Sequence, residues 1–166
     1  GLVGSEMCIR DRFKEIAIQK GYRPKRATSL LKKENVQFIF DTPSKKGIEV
    51  DLKTKKKFKN KSFDKWIWIE FTNKRGGQGW IYGRAAFIAF ETADSFILVN
   101  RKELVEHLSS KNLARFDLPF VNDPWRAKYR VFRRPNTREK LTQIQTRDLL
   151  KLKSAQIWKK PASQDA

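Results

Sequence analysis

A chain of 166 residues with twelve Phe and five Trp carries enough bulky apolar material for one domain around one buried core. Lys and Arg number 37 against 18 acidic residues, a formal charge of +19, which points to a polyanionic partner, nucleic acid before an acidic membrane. No apolar run approaches the roughly eighteen residues of a membrane span, and the single cysteine, Cys8, excludes an internal disulfide framework and a Cys-based zinc site, which fits a reducing cytosol.

Residues 1–12, GLVGSEMCIRDR, read unlike the rest. They resemble translated sequencing-adapter read-through, lack the sustained apolar stretch of a signal peptide, and are set outside the fold. A first helix is expected over 13–20, where Phe13, Ile16, Ala17 and Lys20 follow helical spacing and Gly21 supplies a stop. Arg23-Pro24-Lys25-Arg26 then reads as a basic loop, either a phosphate contact or a solvated turn.

Two strands are expected over 36–40 and 48–54, joined by the turn-like Pro43-Ser44-Lys45-Lys46-Gly47. A tight turn would bring Asp41, at the end of the first run, near Asp51 and Lys53 on the second. Alternation also puts Asp51 and Lys53 on one face. Two carboxylates beside a lysine can hold a divalent metal and leave an amine for a scissile phosphate. Lys53 opens a basic run containing Lys55, Lys56, Lys57 and Lys59, which reads either as a solvated loop or as a sequence-blind grip on a nucleic-acid strand.

Residues 66–72, WIWIEFT, give the strongest strand signal, with Ile67, Ile69 and Phe71 on one face and Trp66, Trp68, Glu70 and Thr72 on the other. A lone carboxylate inside such a strand is costly to bury without a partner. Glu70 is therefore a third metal ligand if this strand lies beside the one carrying Asp51, or else an exposed position. The glycine-dense loop 73–83 seats Trp80 and Tyr82 and offers Lys74 and Arg75 to phosphates; it lacks the ending of a P-loop. Strands are expected over 85–91 and 95–99, then a helix from Asn100 or Arg101 to about Ser109. His107 sits on that helix, and no histidine-rich chemistry is readable. The tail offers a basic strand over 129–134 with Arg133 and Arg134 as further nucleic-acid contacts, another over 141–145, a short helix capped by Thr146, and a disordered end from 159.

The run Asp41, Asp51-Leu52-Lys53, followed by WIWIEFTN, GQGWIYG, AFIAFE and FILVNRKEL, resembles the PD-(D/E)XK nuclease superfamily, and within it small phage and bacterial nuclease-like proteins. D-x-K alone is a weak motif; joined to the downstream aromatic and glycine block it is more specific. The resemblance implies an α/β (α+β) fold over 13–158, a restriction-endonuclease-like core with a central mixed β-sheet flanked by helices. It also implies Mg²⁺- or Mn²⁺-dependent hydrolysis of DNA phosphodiesters in the cytoplasm of a bacterial or phage-infected cell. Asp41 then matches the first acidic ligand, Asp51 the second and Lys53 the lysine, with Glu49 a lower-ranked ligand and Glu15 the glutamate available on the first helix. Resolution of branched DNA would take a homodimer, for which no element is readable. The alternative is a non-catalytic DNA-binding accessory protein on the same scaffold, separable from the enzyme by its indifference to metal. A basic RNA-binding protein would explain the charge and not the Asp-Asp-Lys cluster.

Overall fold

Alternation in Val50-Asp51-Leu52-Lys53 sorts one strand's side chains onto two faces, and the architecture is organised around that division. The computed structural model describes residues 8–55 and 65–162. Among them are α1 (Ile9–Gln19), β1 (Arg23–Arg26), α2 (Ser29–Lys33), β2 (Phe38–Asp41), β3 (Ile48–Lys53), β4 (Trp66–Thr72), β5 (Phe87–Glu91), β6 (Ser95–Asn100), α3 (Arg101–Ser110), β7 (Phe132–Arg133), β8 (Lys140–Gln145), α4 (Thr146–Leu149) and β9 (Gln156–Lys159).

The larger sheet runs β1-β2-β3-β5-β6-β9, and the smaller runs β4-β8-β7. The large sheet is mixed: β3 and β5 pair in parallel, and its other neighbours are antiparallel. A mixed α/β fold is thus present. One face of the large sheet carries Val50 and Leu52 with Phe38, Phe40, Ala89, Phe96, Leu98 and Trp158, packed under Phe13, Ile16 and Ala17 of α1. The other face carries Ile88, Phe90, Ile97 and Val99, covered by Ile69 and Phe71 of β4 and by Leu104 and Leu108 of α3. Asp51 and Lys53 pair in register with Ile88 and Phe90 and so belong to this second face. The helix starts follow local chemistry: Asn100 accepts the Glu103 N–H at 2.9 Å ahead of α3, and Thr28 accepts the Leu31 N–H at 3.3 Å ahead of α2.

Several elements differ from the sequence expectation. The first helix starts at Ile9, inside the stretch set apart as foreign, and half-buried Ile9 packs against the α1-facing core. Residues 23–26 form an edge strand against β2 rather than a loop, since β2 offers a free edge and Pro24 tolerates one. The basic strand expected over 129–134 shortens to Phe132–Arg133, because Tyr129 takes a left-handed conformation with φ 57°. β9 runs over Gln156–Lys159, so the first residue of the end expected to be disordered belongs to a strand. Lys160 follows, its backbone N–H bonded to the Asp94 carbonyl at 2.7 Å and its Nζ to Glu91 Oε2 at 2.8 Å. No described helix is long and apolar enough to cross a membrane.

Candidate functional site

The β2–β3 hairpin decides which acids can meet. Phe38 pairs with Val50 and Phe40 with Ile48, so Asp41 lies at the turn end while Asp51 lies at the opposite end. The separation is four residues along β3, about 13 Å. Asp41 is spent locally: its Oδ1 accepts the Gly47 N–H at 2.8 Å, and its Oδ2 lies 3.0 Å from Lys25 Nζ. The Gly47 hydrogen bond and then Lys25 hold its pKa below the usual carboxylate value. The expected Asp41–Asp51 pair is therefore not formed. Alternation assigned the face correctly, but antiparallel pairing sends the two acids to different ends.

Asp51 is 1% exposed and its Oδ2 lies 3.1 Å from Lys53 Nζ, too poorly aligned for a hydrogen bond. Burial raises its pKa, and the attraction of Lys53 opposes that rise without cancelling it. The residue that shares its cleft is Gln37, one position before β2, whose buried Oε1 also lacks a hydrogen-bond partner. The cleft has a volume of about 300 Å³, and Asn35, Arg26, Lys32 and Lys53 line it with Gln37 and Asp51. Arg10 lines it too, though it stands in the stretch that reads as foreign. Asp51 is the one carboxylate in this lining. Glu49, on the same strand, is engaged elsewhere, its Oε2 2.8 Å from Arg84 Nε. Glu15 is exposed and is not among the lining residues.

Glu70 also departs from expectation. Its strand pairs with β8 in the smaller sheet and is not a neighbour of β3. Glu70 nonetheless comes within electrostatic reach of Lys53 from across the two layers. The approach depends on Gly79, where a β-carbon would overlap the Glu70 carbonyl; its absence lets the Gly79 N–H reach Phe71 O at 2.9 Å. Trp80 follows, donating its backbone N–H to Glu70 Oε1 at 3.3 Å and laying its ring 4.7 Å from Lys53 Nζ. Burial raises the Glu70 pKa, and neighbouring Glu139 adds to the rise. Glu139 is itself 6% exposed and lies 3.2 Å from Arg134 Nε.

The cations expected to bind nucleic acid fall into three places. Lys55 follows β3 directly and its backbone N–H is held by Glu91 Oε1 at 2.6 Å. Lys56, Lys57 and Lys59 lie outside the described residues. Lys74, Arg133 and Arg134 meet around a second cleft of about 750 Å³ together with Arg138, although β5, β6 and α3 separate Lys74 from the others in sequence. Arg75 is exposed beside that cleft's loop and is not part of its lining.

Among the described residues Asp41, Asp51 and Glu70 do not gather into one three-carboxylate group. Among the described residues no three His, Cys, Asp or Glu side chains gather as a cation site, and Asp51 has an amide and cations for neighbours in its cleft. The chemistry such a lining favours is the seating of an anion. No protein-family model, curated protein or solved structure matches the chain.

Proposed function

We propose that the protein binds DNA through its phosphodiester backbone, with a phosphate seated in the Asp51–Lys53 cleft. The observation that carries this reading is the cleft lining: Arg26, Lys32 and Lys53 stand around a single buried carboxylate, on a chain of formal charge +19. Asp51 holds Lys53 by its ion pair and Trp80 covers it, so the ammonium is positioned before a phosphate arrives. Contacts of this kind read charge and spacing, not base sequence. The test is the affinity for a labelled duplex across a salt series. Binding should fall linearly with log salt, and Lys32→Ala with Lys53→Ala should flatten the slope by about two units. A wild-type affinity insensitive to salt would overturn the reading.

Hydrolysis of the seated phosphate is the second reading, in keeping with a restriction-endonuclease-like core. One observation favours it: Asp51 Oδ2 and Gln37 Oε1 are both buried, both lack a hydrogen bond and both belong to one cleft. Orphaned buried oxygens are costly, and a bound cation or ordered water is the usual remedy. Mg²⁺ or Mn²⁺ would have one carboxylate and one amide there, short of the expected ligand set, so no step is assigned to it. Plasmid nicking with Mg²⁺ and with EDTA decides: metal-dependent nicking lost in Asp51→Ala supports cleavage, and equal nicking by both proteins removes it.

A further inference from the structure

The second cleft and an exposed indole three residues along from its Asn122 wall point to a recognition element for unpaired nucleotides. Trp125 is 80% exposed, while the other four tryptophans are buried or half-buried. Its exposure is not the slackness of a loose loop. Val121 is strapped to the β7 side, donating to Val131 O at 2.9 Å and accepting the Arg133 N–H at 3.0 Å. Asp123 Oδ1 accepts the Trp125 N–H at 2.9 Å at the start of a short 3₁₀ turn, Pro124–Arg126. Ala127 closes the turn: buried, it accepts the Gln143 N–H at 2.9 Å and the Thr142 hydroxyl at 3.0 Å from β8. The ring is thus presented between two anchors on the smaller sheet.

What stands around it is cationic. Asn122, one residue past the Val121 strap, lines the cleft that Lys74, Arg133, Arg134 and Arg138 surround. None of its lining residues is acidic, and Arg134 is oriented by Glu139 from beneath at 3.2 Å. Arg126 follows the indole in the chain and is exposed, whereas the Lys128 ammonium lies 5.0 Å over the Trp66 ring. One exposed flat aromatic surface, three residues along from the Asn122 wall of a cleft lined by cations, offers a face for a base and charge for phosphates. In a duplex the base faces are already stacked, so a lone exposed indole offers the most to a base that is free. An apolar protein partner would want a wider exposed apolar patch than one ring.

We infer that Trp125, with the Arg133–Arg134–Arg138 cleft, forms a subsite for single-stranded DNA, the cleft taking phosphate and the indole stacking on an unpaired base. This rests on the proposed DNA binding and adds the strand form it prefers. The test measures the ratio of affinities for an oligothymidylate and for a duplex of equal length, at one salt concentration, in wild type, Trp125→Ala and Trp125→Phe. Trp125→Ala should lower the ratio about ten-fold, within the range of one base–aromatic stack, and Trp125→Phe should restore most of it. Oligothymidylate should also quench the wild-type tryptophan fluorescence, with the quenching lost in Trp125→Phe. An unchanged ratio in Trp125→Ala, with both DNA forms still bound, overturns the inference and leaves the DNA-binding reading intact. Absence of binding to either form by the wild type overturns the reading itself. Loss of binding to acidic-lipid vesicles in Trp125→Ala without any change in the ratio would also overturn it, assigning the indole to a membrane surface.

Discussion

The two ends of the β2–β3 hairpin hold similar ingredients and use them oppositely. At the turn end Asp41 meets a backbone N–H and Lys25, whose side chain is 68% exposed, and its pKa is lowered. At the other end Asp51 meets Lys53 under Trp80 and is 1% exposed, and its pKa is raised. The nominal pair, carboxylate and lysine about 3 Å apart, is the same in both places. Burial decides the difference. A salt bridge in water gains little and distorts little, whereas one placed under two layers leaves a charged group poised for a ligand.

Four experiments bear on that contrast, the largest effect first. Leu52→Ala removes a side chain 2% exposed between Asp51 and Lys53 and should lower the unfolding free energy by about 2–5 kcal/mol. Ile39→Ala, half-buried near the turn end, should lower it by about 1 kcal/mol. Denaturant melts of both variants measure this, and equal losses would mean that the two ends are equally packed. Next, replacing Arg26, Lys32 and Lys53 together by Ala should flatten the salt slope of DNA binding by about 2–3 units, whereas Lys25→Ala with Lys46→Ala at the turn end should change it by less than about one.

Third, Gln37→Asp would place a second carboxylate in the Asp51 cleft. Manganese should then stabilise the variant by about 1 kcal/mol more than it stabilises the wild type, read from thermal unfolding with and without the ion. No difference would show that the two orphaned oxygens do not face a common point. The smallest effect is one of sign. For Asp51, with its pKa raised, the stability contribution is fully present below the unfolded pKa and lost as pH rises through the folded one. For Asp41, with its pKa lowered, the contribution is present above the unfolded pKa and lost as pH falls through the folded one. Asp51→Asn should therefore raise the urea midpoint near about pH 7, with the gain fading towards acid. Asp41→Asn should lower it there, with the loss fading in the same direction. Matching signs would collapse the distinction.

Much of this was legible from residues. The alternation in WIWIEFT set β4 and its buried face, and Asn100 announced α3. The Asp51-Leu52-Lys53 alternation placed acid and lysine together. Gln37 is an uncharged residue one position before β2, and only the hairpin register brings it opposite Asp51. Counting outwards from Asp41 and Gly47 in the observed register carries Asp51 to Gln37 and never to Asp41. Glu70 reaches Lys53 through layer packing, a relation with no trace in local spacing. Trp125 carries no signal in local spacing: it sits in an ordinary Asn122-Asp123-Pro124 turn, and only the anchors on β7 and β8 reveal that the ring is exposed. Strand β9 was hidden because QIWK is short and polar at both ends, and it is stable through its edge position beside β6.

The stacking of Phe13 on Trp158 has a consequence for how the molecule comes into being. The two rings lie 5.6 Å apart, and Phe13 also touches Phe38, Phe40 and Phe96, so the core beneath α1 is shared between the beginning and the far end of the chain. The apolar face of α1 is covered only once the segment carrying Trp158 has docked beside it. Closure across so long a loop is slow by topology. The core beneath α1 is therefore completed only by a contact of high sequence separation, between Phe13 and Trp158.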